Sequence, residues 1–463
     1  MAGLASQCDL FEIRADAFES APDLPLIFQN APKPILWTHR MPEEGGRDNP
    51  RQHCRLEEYR QALGLGARWI DVEWKSGLAR SFPASAGNVV LSLHDFEKTP
   101  EEISRLIEQM AETRCGVIKV ATQVNRTEDL CRLVESARQL RRQGRAFVLA
   151  GMGEDGSPLR ILSSILGSEW TYVALDAPTA RGQLTGADLE LYRFHALGPQ
   201  SRVFAVIGNP IGHSLSPLLH NSAYHEMRFD AVYLAVRVDD LSAYLRLADS
   251  LGISAWSVTL PWKREMAARC VLQDQASRSS GVVNTVRRDG DRLLGWNTDW
   301  IGFLEPLRRR FPLAGLRACV LGTGGAARTA VAALVSEGAH VLVLGRRLET
   351  LQALAADFAI ATGSLEDSSG VAGDLIVNAT PVGMAPATAA TPAPKPLLAR
   401  FRVAYDLVYT PPATAFLRAA RELGLQAISG WEMFVEQAAA QIQIFTGAEP
   451  PADWVERKLR NVE

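Results

Sequence analysis

Forty-two of the 49 basic side chains are arginine, and only seven, at positions 33, 75, 98, 119, 263, 395 and 458, are lysine. A guanidinium stays protonated inside a protein, so arginine supplies permanent charge but no amine that attacks carbon or titrates near neutrality. Lysines in apolar surroundings are therefore where amine chemistry is to be sought. Two qualify: Lys119 within Ile118-Lys119-Val120-Ala121, and Lys263 just after Ser257-Val258-Thr259-Leu260-Pro261-Trp262. A second chemical signal is Val320-Leu321-Gly322-Thr323-Gly324-Gly325-Ala326-Ala327-Arg328, an apolar run, a glycine turn and the start of an alanine-rich helix. Such glycines let a backbone approach a pyrophosphate, whose charge is favoured by the free N–H groups and dipole of the helix start. Residues 339–344 form a following strand, and its end carries Gly345-Arg346-Arg347 in place of an acid that would accept from a ribose 2′-hydroxyl. Two cations there fit a 2′-phosphate, so the expected cofactor is NADP and not NAD.

These groups need elements to hold them. Over the first 200 residues, short apolar runs alternate with amphipathic stretches. Strands are expected at 10–13, 35–38, 69–73, 89–93, 116–121, 147–150 and 172–175, seven in all, with helical spacing at 100–110 and 128–141. Strict alternation of strand and helix implies a parallel sheet, barrel or open. New composition blocks begin near Val203, after Gly198-Pro199, and near Leu316. The expected organisation is one α/β unit over residues 1–198 and a two-part unit over 203–463. In the latter, 203–300 with 430–463 would bind substrate and 301–429 would be a Rossmann domain.

Composition excludes several classes of function. With 52 acidic and 49 basic residues the formal charge is −3, and no concentrated basic face for nucleic acid is evident. No apolar segment of about 20 residues is present to span a membrane. Asp9, Glu12, Arg14 and Asp16 interrupt any signal-peptide core. Six scattered cysteines lack metal or disulfide spacing, so no metal is expected and the chain reads as a cytoplasmic enzyme of small molecules.

The segments Gly208-Asn209-Pro210-Ile211-Gly212-His213-Ser214-Leu215-Ser216-Pro217, Ser257 to Lys263, Gly281-Val282-Val283-Asn284-Thr285 and Asn297-Thr298-Asp299 resemble shikimate dehydrogenases in order and spacing. Asn378-Ala379-Thr380-Pro381-Val382-Gly383-Met384 and Tyr405-Asp406-Leu407-Val408-Tyr409 extend the resemblance from about Val203 to the C-terminus. It implies that Lys263 and Asp299 act on the hydroxyl that exchanges its hydride with nicotinamide. Ser214 and Ser216 would hold the substrate carboxylate, and Thr259, Asn284, Gln437 and Tyr409 the ring. Gly322, Thr323, Gly324, Gly325, Ala326, Arg346, Arg347, Asn378 and Thr380 would border the cofactor. An ammonium paired with a carboxylate suits that chemistry, because a ketone that receives hydride needs a proton donor within hydrogen-bond reach. Two positions depart from the family: Ser257 stands where Asn is usual, and Gly345-Arg346-Arg347 replaces its Asn-Arg-Thr.

Glu12-Ile13-Arg14-Ala15-Asp16, Thr38-His39-Arg40, Glu44-Gly45-Gly46, His94-Asp95-Phe96 and Ile118-Lys119-Val120-Ala121 are similar to type I 3-dehydroquinate dehydratases. Met152-Gly153, Gly156, Arg160 and Thr179-Ala180-Arg181-Gly182-Gln183 continue the similarity to about residue 195, with Arg181 where that family has proline. The resemblance implies an eight-stranded barrel with its site at the C-terminal strand ends. Lys119 would form an imine with the substrate ketone, provided burial lowers its pKa. His94 would be base and then acid, oriented by Glu44. Arg160 would pair with the carboxylate, and Glu12, Arg14, Arg40, Thr179 and Gln183 would hold the ring, with a structural barrel-mouth role as the alternative for Arg14 and Arg40. The family's first strand would precede Glu12 by more residues than are present, so it is expected either upstream of Met1 or replaced by an irregular closure through residues 1–10.

Together the two resemblances imply a bifunctional enzyme of the shikimate pathway, dehydrating 3-dehydroquinate and then reducing 3-dehydroshikimate with NADPH. The alternatives are a shikimate or quinate dehydrogenase with an impaired dehydratase half, and a non-catalytic metabolite sensor.

Overall fold

The computed structural model describes residues 8–83, 87–113, 115–174, 181–366, 368–451 and 454. Contacts group the chain into two units, Met1–Phe204 with Asp230–Ile253, and Ala205–Phe229 with Ser254–Glu463.

In the first unit, β1 (Phe11–Arg14), β2 (Ile35–Thr38), β3 (Trp69–Glu73), β4 (Val89–Asp95), β5 (Val117–Gln123) and β6 (Phe147–Met152) form a parallel sheet in sequential order. Strands β2 and β6 are nearly continuous apolar runs, as parallel strands covered on both faces tend to be, whereas β1, β3, β4 and β5 interleave polar or charged residues with apolar ones. Helix Ile103–Glu112 buries Ile103, Ile107 and Met110, and helix Thr127–Arg142 buries Leu130, Leu133, Val134, Ala137 and Leu140, the three- and four-residue spacing of one apolar stripe. The sheet is the curved, sequentially wound part of a barrel.

The expected seventh strand is not part of that ladder. Within residues 172–174 only Val173 pairs, in a single bridge to Leu184, while Ala174 N–H donates to Leu184 O. Trp170 and Tyr172 contribute side chains instead, packing against Leu36, Val90, Val117 and Val148. An apolar run thus shows burial without showing which backbone it pairs with.

In the second unit, strands Val271–Leu272, Arg292–Trp296, Thr285–Asp289 and Ile253–Val258 are neighbours in that order, the first pair parallel and the others antiparallel. A separate sheet is all parallel. Its order is Ala361–Ser364, His340–Gly345, Arg317–Leu321, Leu375–Asn378, Val403–Asp406, Gln426–Ile428. Counted along the chain this is 3-2-1-4-5-6, the doubly wound order whose crevice opens where the first and fourth strands diverge. The glycine turn follows Leu321 at that place. Core clusters around Val320, Val343 and Val377 and around Leu321, Ile376 and Ala404 cover the two faces.

Helix Asp299–Arg308 crosses helix Gly430–Thr446 closely at Gly302. A Cβ at Gly302 would lie 2.6 Å from Met433 O and 2.9 Å from Gln437 Cβ. G302A should therefore destabilise the second unit by about 1–3 kcal/mol through overpacking. Urea unfolding should show a lower midpoint at unchanged slope.

Candidate active sites

Side chains on a strand alternate between its faces, so residues two apart share one. In the first unit this alternation places Asp71 and Glu73 of β3, Ser92 and His94 of β4 and Lys119 of β5 among buried residues, with Ser92 and Lys119 paired in register. Lys119 Nζ donates to Asp71 Oδ2 at 2.9 Å, lies 3.9 Å from Glu12 Oε1 and sits 4.5 Å from the centre of the Tyr172 ring. Arg40 reaches the same Asp71 Oδ2 at 2.7 Å and Glu73 Oε1 at 3.4 Å, and donates to Ser92 Oγ at 2.7 Å. Ser92 Oγ in turn donates to Asp71 Oδ1 at 2.5 Å. Glu73 also pairs with Arg55. Two buried cations thus share one carboxylate.

The charge state of Lys119 differs from the sequence expectation. Burial alone would lower its pKa, but Asp71, Tyr172 and Glu12 outweigh burial and hold the ammonium above its ordinary value. The free amine is therefore not supplied by desolvation. The carboxylates that let the sheet bury this lysine also keep it protonated.

His94 Nδ1 lies 2.9 Å from Glu44 Oε2, and the His94 backbone N–H donates to the same oxygen at 3.0 Å. Burial, Arg40 and Lys119 hold the imidazole well below its usual pKa, so it is neutral at neutral pH. Burial pushes Glu44 up to about 7, against the lowering effect of Arg40. Gly45, at φ +81°, turns the chain beside Glu44, where a Cβ would strike the Phe96 ring at 2.5 Å.

Arg160 follows the 3-10 turn Glu154–Gly156 in helix Ser157–Ile161. Its Nε donates to Gly151 O at 2.7 Å, its side chain is buried, and burial lowers its pKa. Among the described residues no carboxylate pairs with it. Glu12 accepts from Thr38 Oγ1 at 2.8 Å. Arg14 makes a two-point contact with Asp16, at 2.9 and 2.8 Å. Gln183 follows Gly182, whose backbone lies against Gly153. Thr179 lies outside the described residues.

In the second unit, Lys263 opens helix Lys263–Ala267 and Asp299 opens helix Asp299–Arg308, where a carboxylate also complements the helix dipole. The two side chains form an ion pair. Asn284 Nδ2 donates to Asp299 Oδ1 at 2.7 Å and Thr298 Oγ1 at 3.0 Å, and contacts Gln437 Oε1 at 3.4 Å. Ser257, standing where the family usually has Asn, donates to Gln441 Oε1 at 2.8 Å. Tyr409 stacks on Phe434 at 4.4 Å, its pKa raised by burial and then by Asp299. Thr259 lies in the turn before Lys263, its carbonyl accepting from Trp262 N. Ser214 and Ser216 are held at the start of helix Ser216–Glu226, with Ser216 N donating to Ser214 Oγ at 3.3 Å.

The glycine turn fits a dinucleotide. A Cβ at Gly322, φ +116°, would come 2.8 Å from Ala379 O, and Gly325 starts the helix Gly325–Ser336. The stem of Lys263 lies against Gly325, 3.5 Å from where a Cβ would be. Thr323 accepts from Thr350 Oγ1 at 3.0 Å, and Ala326 is in the first helical turn. Arg346 and Arg347 are exposed. Asn378 and Thr380 bond one another, Thr380 Oγ1 to Asn378 Oδ1 at 2.7 Å, and form the floor beneath Gly322.

Sequence patterns had not singled out Asp71, Glu73, Ser92, Tyr172 or Gln441. Asp71 and Glu73 carried a visible signal, two acids at alternating positions inside the apolar run Trp69 to Glu73. Their side chains share one face of a covered strand, which demands cationic partners.

Fold and site together define a two-site α/β enzyme, with a buried amine in a wound parallel sheet and a lysine–aspartate pair beside a nucleotide-type turn. Residues 1–196 match the type I 3-dehydroquinase family, 206–286 the shikimate dehydrogenase substrate binding domain and 430–460 the shikimate 5′-dehydrogenase C-terminal domain. The bifunctional 3-dehydroquinate dehydratase/shikimate dehydrogenase of Arabidopsis thaliana chloroplasts is 34% identical over 96% of this chain and 79% of its own length. The NADP(+) shikimate dehydrogenase of Moorella thermoacetica is 39% identical over 55% of this chain and 92% of its own. The Thermus thermophilus shikimate 5-dehydrogenase, solved with NADP(H) and shikimate, is 35% identical at a TM-score of 0.51, covering 57% of this chain and 100% of its own. The chain belongs to the family of bifunctional 3-dehydroquinate dehydratase/shikimate dehydrogenases.

The raised Glu44 carboxyl has a measurable consequence. Its folded pKa of about 7 exceeds the ordinary 4.5, so folding takes up a proton between these values; the resulting stability is fully present below 4.5 and lost as pH rises through 7. The shift corresponds to about 3 kcal/mol. Denaturation at pH 4.5 and pH 8 should show this loss in the wild type, and E44Q should lack it.

Proposed function

We propose that the first site dehydrates 3-dehydroquinate to 3-dehydroshikimate and the second reduces that ketone to shikimate with NADPH. One observation carries the two-site reading. Among the described lysines, only Lys119 and Lys263 are both shielded and paired with a carboxylate, and they lie in different units.

At the first site, Arg160 receives the substrate carboxylate, because a buried guanidinium without an acidic partner is suited to an anion. Glu12, Arg14, Arg40 and Gln183 surround the ring. Substrate entering beside Lys119 disturbs its contact with Asp71, and the amine, once deprotonated, adds to the ketone. Loss of water then leaves a cationic imine. Neutral His94 takes the proton from the adjacent carbon, the electrons passing into the imine, and returns it to the departing hydroxyl as water leaves. Glu44 keeps the imidazole in place. Hydrolysis of the imine restores Lys119.

At the second site, Ser214 and Ser216 hold the carboxylate, while Thr259, Asn284, Gln437 and Tyr409 hold the ring. Lys263 and Asp299 give the proton to the oxygen of the reacting carbonyl. NADPH supplies the hydride when bound. The turn Gly322, Thr323, Gly324, Gly325 and Ala326 receives its pyrophosphate, Asn378 and Thr380 support that turn, and Arg346 and Arg347 face its 2′-phosphate. We assign the dehydratase to residues 1–198, substrate binding for reduction to 203–300 with 430–463, and the NADP domain to 301–429. Six cysteines outside any disulfide fit a reducing compartment such as the cytoplasm. Among the described residues no helix is long and apolar enough to cross a membrane.

The two activities should separate by mutation. K119A should abolish enone formation from 3-dehydroquinate and spare reduction, whereas K263A should lower reduction by about 10²–10⁴-fold and spare dehydration. Borohydride with substrate should add mass at Lys119; an active protein left unmodified there would refute the imine. Replacing Arg346 and Arg347 with serine should raise the KM for NADPH roughly tenfold or more and leave NADH little changed, as steady-state kinetics would read directly.

A further inference from the structure

We propose that Arg237, which lies outside the dehydratase-like residues 1–196 and inside the stretch matching the dehydrogenase substrate domain, is a positioning residue for the dehydratase site. The proposal rests on the dehydratase function argued above. Arg237 ends strand Ala231–Arg237, which belongs to the first unit by its contacts. Its Nε donates to Asp155 Oδ2 at 2.7 Å, and its Nη2 donates to Asn125 O. Asp155 is the middle residue of the turn Glu154–Gly156 after β6, and Asn125 lies two residues beyond the end of β5. One guanidinium therefore ties together the chain beyond the two strands that lead to Arg160 and carry Lys119.

The tied turn has little freedom of its own shape. Gly156 N–H donates to Gly153 O at 3.2 Å, and the backbones of Gly151 and Gly156 approach so closely that a Cβ on Gly156 would lie 2.3 Å from Gly151 C. Arg160 Nε is fixed on Gly151 O, one turn of helix later. The turn also carries the next part of the site: Ser157 Oγ donates to Gly182 O at 3.3 Å, and a Cβ at Gly182 would meet Gly153 O at 2.0 Å. Displacing Asp155 would thus move both the carboxylate-binding arginine and the approach to Gln183. Arg237 touches neither the reacting lysine nor the histidine, so its effect falls on substrate binding.

Neighbouring contacts set where Arg237 stands. Thr127 donates to Asp239 Oδ1 through its backbone N–H at 2.9 Å and its hydroxyl at 2.5 Å, and Asp239 N–H donates back to Thr127 Oγ1 at 3.1 Å. Cys131 Sγ lies 3.3 Å from Ala243 O, and Arg246 pairs with Glu128 at 2.5 Å. Helix Leu241–Leu251 is thereby docked along helix Thr127–Arg142, with Arg237 preceding it. These contacts are independent of the Arg237 side chain, so its removal leaves the docking in place.

The test uses the full chain. R237A should raise the dehydratase KM for 3-dehydroquinate about three- to tenfold with kcat within about twofold, while the dehydrogenase parameters stay unchanged. R237K, which keeps a donor for Asp155, should recover most of the loss, and R237A/D155A should be no worse than R237A. Hydrogen exchange at residues 153–160 should be faster in R237A, a readout that does not require activity. An unchanged KM with unchanged exchange, an equal loss of both activities, or no recovery in R237K would overturn the proposal. A wild-type protein without dehydratase activity would instead refute the dehydratase function, and exchange at 153–160 would still decide whether Arg237 holds the turn.

Discussion

A charge removed from water must be matched by an opposite charge or by hydrogen bonds, and the first unit is organised around that requirement. Lys119 is buried on β5, so Asp71 must be buried beside it; Arg40 shares Asp71, Glu73 answers Arg40, and Arg55 answers Glu73. The chain of partners fixes side chains from two strands, β3 and β5, and from the segment between β2 and β3 that carries Arg40 and Arg55. Its cost is chemical: an ammonium held this firmly is a poor nucleophile until substrate alters its surroundings. In this arrangement His94 rather than Lys119 is the group free of charge.

The second unit solves a related problem with less burial. Lys263 and Asp299 each stand at the first turn of a helix, and Asn284 donates to the Asp299 carboxylate while also contacting Gln437 Oε1. The Lys263 stem touches the start of the glycine-turn helix. The ion pair and the glycine turn are therefore held by rigid elements and not by long loops, and close packing at Gly302 sets how nearly helix Asp299–Arg308 approaches helix Gly430–Thr446.

Much of this was legible in the chain. The scarcity of lysine drew attention to Lys119 and Lys263, and six of the seven expected strands of the first unit coincide with or lie within a residue or two of β1 to β6. The glycine turn fell at the switch point of the doubly wound sheet. Tyr172 was less legible, since an apolar run reports burial but not hydrogen-bonding partners, and its ring proved more important than its strand. The two-point contact of Arg14 with Asp16 was not legible either, because spacing of two residues fits both a structural pair and a pair of binding groups.

The amino-acid sequence by itself determined which residues have the chemistry: which bases are amines, where backbone can approach a phosphate, and which runs must be buried. Local periodicity is enough for these, since each depends on residues within a few positions. Only the tertiary structure decided the protonation of Lys119, the lack of a carboxylate partner for Arg160 among the described residues, and the tie from Arg237 to Asp155. Those depend on charges that are 48 and 82 residues away for Lys119 and Arg237, and the energy of a charge in a folded protein is set by what lies within a few ångströms of it, whatever the separation along the chain.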